Sequence, residues 1–288
     1  MDQPLVSVCL ITYNHENYIR QAIDSILMQE VDFPWEIIIA DDASSDRTQN
    51  IIREYHQKYP DLIKPNLKKK NVGAGLNFVE LINSAKGKFV AYLEGDDYWT
   101  SPLKLQLQYD YMEKHKNISL CYHKVDWVYT YDSPEKYRVE SNQNDKSVYT
   151  LNDIIKLGWF IRSCSMFFIN YKLPRGFEKL HIGDYPLHVL LATKGNIGFI
   201  DERMGTYRIN HEGLSETILS NISLKSELVN IRKDIEMNLF LVRKVNLKGK
   251  MQILSKLFIK LYRLTIRMVS FLLKKTSSFL MINNGTKL

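Results

Sequence analysis

Three apolar, β-favouring runs punctuate the first hundred residues, and each stops in a polar cluster. Val6 to Ile11 gives way to Thr12, Tyr13 and Asn14; Glu36 to Ala40 ends at Asp41 and Asp42; Lys88 to Leu93 ends at Glu94, Gly95, Asp96 and Asp97. Near-continuous apolar runs of this length are the pattern of parallel strands buried on both faces. Helical periodicity separates them. Tyr18, Ile19, Ala22, Ile23, Ile26 and Leu27 share one face of a helix reaching to about Gln29. Asp41 to Asp46 caps a second helix with Ile51, Ile52 and Tyr55 inward, and residues 71–75 open a third around Phe78, Val79, Leu81 and Ile82. This alternation predicts an α/β fold, a mostly parallel sheet with helices on both faces. Such sheets bind ligands beyond the carboxyl ends of their strands, so the three polar clusters converge on one crevice.

The last cluster carries the most chemistry. Adjacent Asp96 and Asp97 repel each other and are costly at a buried strand end unless a cation or sugar hydroxyls satisfy them. The pair reads as a seat for a divalent metal carrying a phosphorylated substrate; the alternative is an acidic turn. Ser101 and Pro102 suit the N-cap and first position of the helix that follows.

The net charge of +7 has to be located before it means anything. From Met237 to Leu288 there are eleven Lys or Arg and no Asp or Glu, which leaves 28 basic against 32 acidic groups before it. A body of net −4 gives no support to nucleic-acid binding, which wants a basic face on the folded domain. Cys9, Cys121 and Cys164 lack ligand spacing and are expected as free thiols in a reducing compartment. The first residues lead straight into a strand without a basic n-region, so no secretory signal is expected and the protein is placed in the cytoplasm.

The second half is less regular. Leu120–Tyr131 reads as a strand, 132–146 as a loop or hairpin, Thr150 to Asp153 as a capping-box helix start, and Cys164–Ile169 as a strand. A helix after Ile182 runs to Lys194 and stops at Gly195; Ile197–Ile200 and Met204–Ile209 read as two short strands. Two parts are expected: residues 1–220 as the α/β domain, and 221–288 as a helical, basic amphipathic extension.

Taken with their order and spacing, Val6 to Asn14, Ile39 to Thr48, Asn71 to Gly73 and Leu93 to Asp97 resemble the family 2 glycosyltransferases. These are inverting nucleotide-sugar transferases with a GT-A, Rossmann-like fold. The resemblance covers residues 5–115 well, weakens over 116–215 and has no counterpart beyond about 220. It implies that Thr12, Tyr13, Asp41, Asp42, Asn71 and Gly73 hold the nucleotide-sugar donor, with Asp96 on the ribose. A carboxylate can accept the imide N–H of uracil and an aromatic ring can stack on a base, which favours a UDP-sugar. It implies a Mg²⁺ or Mn²⁺ cofactor on Asp97, Asp96 and His211, although the family's Asp-any-Asp motif here begins with Glu94. It places a general base at Asp184, where the other reading is a helix N-cap.

Beyond Lys256, a stripe of Lys256, Lys260, Arg263, Arg267, Ser270 and Lys274 faces Leu257, Phe258, Leu261, Leu264, Met268, Phe271 and Leu272. No run approaches the ~20 apolar residues that span a bilayer. An acid-free cationic amphipathic helix reads as lying on an anionic membrane, here the inner face of the plasma membrane. The rival is a packing or oligomer helix. The functional expectation is a metal-dependent, inverting glycosyltransferase, with a saccharide or lipid-linked saccharide of bacterial surface polysaccharide synthesis as acceptor. The alternative is a catalytically inactive nucleotide-sugar-binding protein in which Glu94 marks a decayed site.

Overall fold

The computed structural model describes residues 3–129, 136–139, 146–181, 183–209 and 224–262. The first half is the expected alternation: β1 (Val6–Thr12), α1 (Ile19–Leu27), β2 (Trp35–Asp41), α2 (Thr48–Lys58), β3 (Ile63–Leu67), α3 (Ala74–Ser84) and β4 (Phe89–Glu94). After β5 (Tyr98–Trp99) and α4 (Lys104–Lys114) come β6 (Ile118–Tyr129), β7 (Lys136–Val139), β8 (Val148–Tyr149) and α5 (Leu151–Leu157). Then follow β9 (Phe167–Ile169), α6 (Asp184–Ala192), β10 (Asn196–Ile209), α7 (Leu224–Val242) and a further helix over 247–262.

The strands form one sheet in the order β3-β2-β1-β4-β9-β6-β10-β5, with β7 on β6 and β8 on β10. β3, β2, β1 and β4 are parallel to one another. β9 enters antiparallel between β4 and β6, so the far half is mixed. Alternation along each strand feeds two cores. Val8 and Leu10 of β1, with Ile37, Ile39, Ala91 and Leu93, pack beneath α1, α2 and α4; Cys9, Ile38, Ala40, Val90 and Tyr92 pack beneath α3, α5 and α6. Burying both faces is why these strands carry continuous apolar runs.

Several boundaries moved for physical reasons. β3 was not among the expected strands; it is an edge strand, where a proline's missing N–H can be tolerated. α4 starts at Lys104 rather than Pro102, and Ser101 uses its hydroxyl to accept the Leu103 N–H at 3.3 Å. The stretch expected as a strand from Cys164 begins as a 3-10 turn, Ser163–Ser165. The two short strands expected after Gly195 are one strand, β10, with register breaks between Ile200 and Gly205 where it bulges against β6. The cysteines are free, as expected, and all three are buried.

Candidate active site

Register alone brings the strand ends together. Thr12 sits opposite Asp41 across β1 and β2, and Ile11 opposite Glu94 across β1 and β4. The loops beyond are laced to each other. Asp41 is fully buried and accepts the Ser44 N–H (3.0 Å), the Ser44 hydroxyl and the Gln49 amide, holding a turn in which Ala43 has φ 61°. Asn14, at φ 55°, accepts the Ser45 N–H at 2.8 Å, while its own N–H donates to Ser44 Oγ. Asp42 accepts the N–H of Val72 (2.8 Å) and of Gly73 (2.9 Å), bolting the 71–73 turn to β2. Gly73 is the N-cap of α3 with φ 91°, a backbone conformation that favours glycine. Each Asp42 oxygen keeps capacity for a second donor. Tyr13 is left 45% exposed at the mouth of this side.

The acid loop is wedged against β1. Gly95 donates its N–H to Ile11 O at 2.8 Å, and a Cβ placed there would lie 2.6 Å from Thr12 Oγ1 and 2.8 Å from His15 Nδ1. Both of those buried polar atoms lack a hydrogen-bond partner among the described residues. His15 Nε2 lies 3.9 Å from Asp96 Oδ2. Asp97 is buried; its Oδ1 accepts the Arg208 N–H at 2.8 Å and its Oδ2 has no partner among the described residues. Burial, then the Asp96 and Glu94 carboxylates, hold Asp97 well above the usual carboxylate range despite Arg208. Glu94 accepts from Ser163 Oγ (3.0 Å) and Tyr92 OH (3.4 Å). Burial and the Asp184 and Asp96 carboxylates push it up to about 8.

Asp184 closes the far side. It is the first residue of α6, whose N-cap is Gly183 without a side-chain cap bond, so the carboxylate is not acting as the cap. Its Oδ2 accepts the Trp159 indole N–H at 3.3 Å. Burial pushes Asp184 up, and Trp159 and the Arg162 guanidinium pull it back.

Of the residues expected from sequence, Thr12, Asp41, Glu94, Asp96 and Asp97 gather at the ends of β1, β2 and β4, with Asp42 and Gly73 behind them. His211 lies outside the described residues. Among the described residues, no three His, Cys, Asp or Glu side chains group to hold a metal ion. The Asp97 oxygen without a partner, and the carboxyls driven upward beside it, nonetheless suit a hard divalent cation. Such ions commonly take one or two carboxylates and complete their shell with substrate phosphates.

Arg208 was missed. Its guanidinium donates to Asp96 O and to Gln21 Oε1 (2.7 Å), and lies 4.8 Å from the Tyr18 ring centre and 5.0 Å from that of Tyr98. The available signal was parity: Arg208 shares the buried face of β10 with Thr206. His15, 3.9 Å from Asp96, also belongs to this rim. Lys68 pairs with Glu80.

The description of Glycosyl transferase family 2 matches residues 7–173. The chain belongs to this family. An uncharacterised Mycobacterium tuberculosis protein is 36% identical over 214 residues, 73% of this chain and 60% of that protein, so the chain spans about 60% of that relative's length. The Escherichia coli UDP-Glc:alpha-D-GlcNAc-diphosphoundecaprenol beta-1,3-glucosyltransferase WfgD is 27% identical, covering 75% of this chain and 81% of its own. Staphylococcus aureus TarS with UDP-GlcNAc superposes with a TM-score of 0.61 at 21% identity, covering 88% of this chain and 72% of that one. The mannosyltransferase PcManGT of Pyrobaculum calidifontis, with GDP-Man and Mn²⁺, gives 0.61 at 13% identity, over 99% and 81%. This family 2 chain therefore has the GT-A fold.

Proposed function

We propose that this family 2 chain transfers a sugar, with inversion, from a nucleoside diphosphate sugar to a hydroxyl of a saccharide acceptor, and that a UDP-sugar is the donor. The observation that supports this reading is the gathering at the sheet edge of the β1 and β2 turns, which would take the nucleotide, the acid loop of β4, and Asp184 beside Glu94. Tyr13 would stack on the base, and Asp41, Asp42, Asn71 and Gly73 would frame it. Asp184 would accept the acceptor hydroxyl proton as that oxygen attacks the anomeric carbon. The bond from that carbon to the diphosphate breaks, and the nucleoside diphosphate leaves with the electron pair. Asp96 and Asp97 would hold Mg²⁺ or Mn²⁺, whose charge offsets that gathering on the diphosphate. The upward push on Asp184 by burial is in the direction that strengthens a carboxylate as a proton acceptor.

We further propose that the acceptor is lipid-linked and that the protein sits peripherally on an anionic membrane, in keeping with the acceptor named for WfgD. Among the described residues no helix is long and apolar enough to cross a membrane. The helix over 247–262 supports a surface-lying mode: Leu247, Met251, Leu254, Phe258 and Tyr262 recur at spacings of about one turn, and all are exposed. Arg263, Arg267, Ser270 and Lys274 of the expected stripe lie outside the described residues.

Asp184→Asn tests the core of the reading. A base that acts on the acceptor proton governs turnover and not donor affinity, so this variant should show a UDP-induced thermal shift like the parent's. Transfer from UDP-sugar should fall by about 10²-fold or more. Parent-like turnover would remove Asp184 as the base.

A further inference from the structure

The residues beyond Asp184 form a wall with a distinctive make-up. Trp159 presents its indole edge to Asp184 and is 46% exposed. The Arg162 guanidinium lies over Trp159 (4.6 Å to the ring centre), over Trp127 of β6 (4.4 Å) and over Tyr207 of β10 (5.5 Å). Trp127 and Tyr207 meet at 5.9 Å. A single exposed aromatic is ordinary on a protein surface. This one is held on three counts. Its N–H is engaged by the candidate base, its face is engaged by an arginine, and its backbone is anchored by the next two residues. Ile161 is fully buried, and Phe160 packs against Tyr122 (5.8 Å) and Tyr149 (5.4 Å). Ser163, one residue past Arg162, then ties the segment to Glu94.

The placement in the sheet is equally pointed. The proposed nucleotide-holding groups follow β1 and β2, whereas Trp127 and Tyr207 stand on β6 and β10 on the other side of β4, with Arg162 and, over it, Trp159 stacked on them. The exposed indole, hydrogen-bonded to Asp184, lies beside any molecule that offers a hydroxyl to that carboxylate from this side. Pyranose rings offer a face of C–H groups, apolar and weakly positive, which complements the negative face of an aromatic ring, while their hydroxyls remain free to bond at the rim.

We infer that Trp159, propped by Arg162 and Trp127, is the platform on which the acceptor's terminal pyranose ring stacks, presenting its hydroxyl to Asp184. This rests on the glycosyltransferase reading and adds to it the pyranose form of the acceptor's reacting sugar and the residue that receives it.

The test does not require turnover. Saturation-transfer NMR would be run on the full chain with UDP and diamagnetic Mg²⁺, using methyl pyranosides of glucose, galactose, mannose, N-acetylglucosamine and N-acetylgalactosamine. At least one should receive saturation from the parent protein. Trp159→Phe, which keeps a ring, should bind it within about threefold. Trp159→Ala and Trp159→Leu should weaken it about tenfold or more. The UDP-induced thermal shift should be unchanged in all three, which certifies folding and an intact donor side. Equal pyranoside binding by the Ala and Leu variants, or no saturation of any pyranoside by the parent, overturns the platform. Asp184→Asn separates the two readings, because it should retain pyranoside binding while losing transfer. If it turns over normally, the base assignment fails while the binding result for Trp159 stands.

Discussion

At the scale of single residues, the least expected group is Lys104. It opens α4 with no exposure at all; its Nζ finds no hydrogen-bond partner among the described residues and rests 3.8 Å from the centre of the Trp99 ring. Burial drives its ammonium down to about 7, against the opposing pull of Cys121 and Cys164. The unfolded chain holds that proton up to its ordinary value of about 10.4, so the unfolded state binds more protons between about pH 7 and 10. Stability should therefore rise with pH across that window, and the cost of the buried charge should be full at and below about pH 7. Lys104→Met keeps the stem and removes the charge. We expect it to be the more stable protein at pH 7 by at least ~1 kcal/mol, with the gap closing towards pH 10. Denaturant melts at the two pH values decide it; an unchanged gap would show that the Trp99 face already compensates the ammonium. Nothing in the sequence marked Lys104 as buried, since at the start of a polar helix a lysine reads as solvated. Parity could set Arg208 on a buried strand face but not beside the acid loop, because its backbone N–H reaches Asp97 across 111 residues of chain.

At the scale of elements, what could be read was what is local. Continuous apolar runs located β1, β2 and β4, and register then placed Thr12, Asp41 and Glu94 side by side without further information. The Thr150 capping box was legible because it is complete within four residues: Asp153 N–H donates to Thr150 Oγ1 at 3.4 Å, and Thr150 N–H donates back to Asp153 Oδ2 at 2.9 Å. β3, the antiparallel place of β9 in the sheet and the bulge in β10 were not legible, because a proline edge, a strand insertion and a register slip are decided by neighbouring strands. The cap makes its own prediction. Against the upward push of partial burial, Lys146 and the Thr150 N–H and hydroxyl hold the Asp153 carboxyl down to about 2. A carboxyl lowered in the folded state contributes stability above its ordinary value near 4, and loses it as pH falls towards 2. Asp153→Asn should cost ~1 kcal/mol at pH 7 and almost nothing near pH 2. An equal cost at both pH values would assign the effect to packing of α5 instead.

At the scale of the whole molecule, the carboxyl-terminal extension divides by depth. Met237, Leu241, Val245 and Ile253 belong to the same buried cluster as β4 and α6, and Phe240 meets Phe177 at 6.3 Å. Asp234 takes Lys260 on one side and His181, three residues before Asp184, at 3.4 Å on the other. Cutting the chain near Gly249 would therefore strip Ile253 from the core, whereas cutting after Tyr262 would spare it. What remains outward is the stripe of Leu247, Met251, Leu254, Phe258 and Tyr262, in a segment with no acidic residue from Met237 onward. Beside anionic lipid each Lys or Arg contributes about 1 kcal/mol, and each apolar side chain that enters the interface adds roughly 1.5–3 kcal/mol at most. The apolar part is not screened by salt. The intact chain should sediment with phosphatidylglycerol vesicles and be loosened only partly by 1 M salt, about a threefold shorter Debye length than at 0.1 M. Met251→Asp with Phe258→Asp should weaken sedimentation at least ~10-fold while leaving the melting temperature and the UDP-induced shift in place. Sedimentation equal to the parent's would reject the membrane reading. Were the same double variant to dissociate a dimer on gel filtration, the stripe would be a contact between copies of the chain.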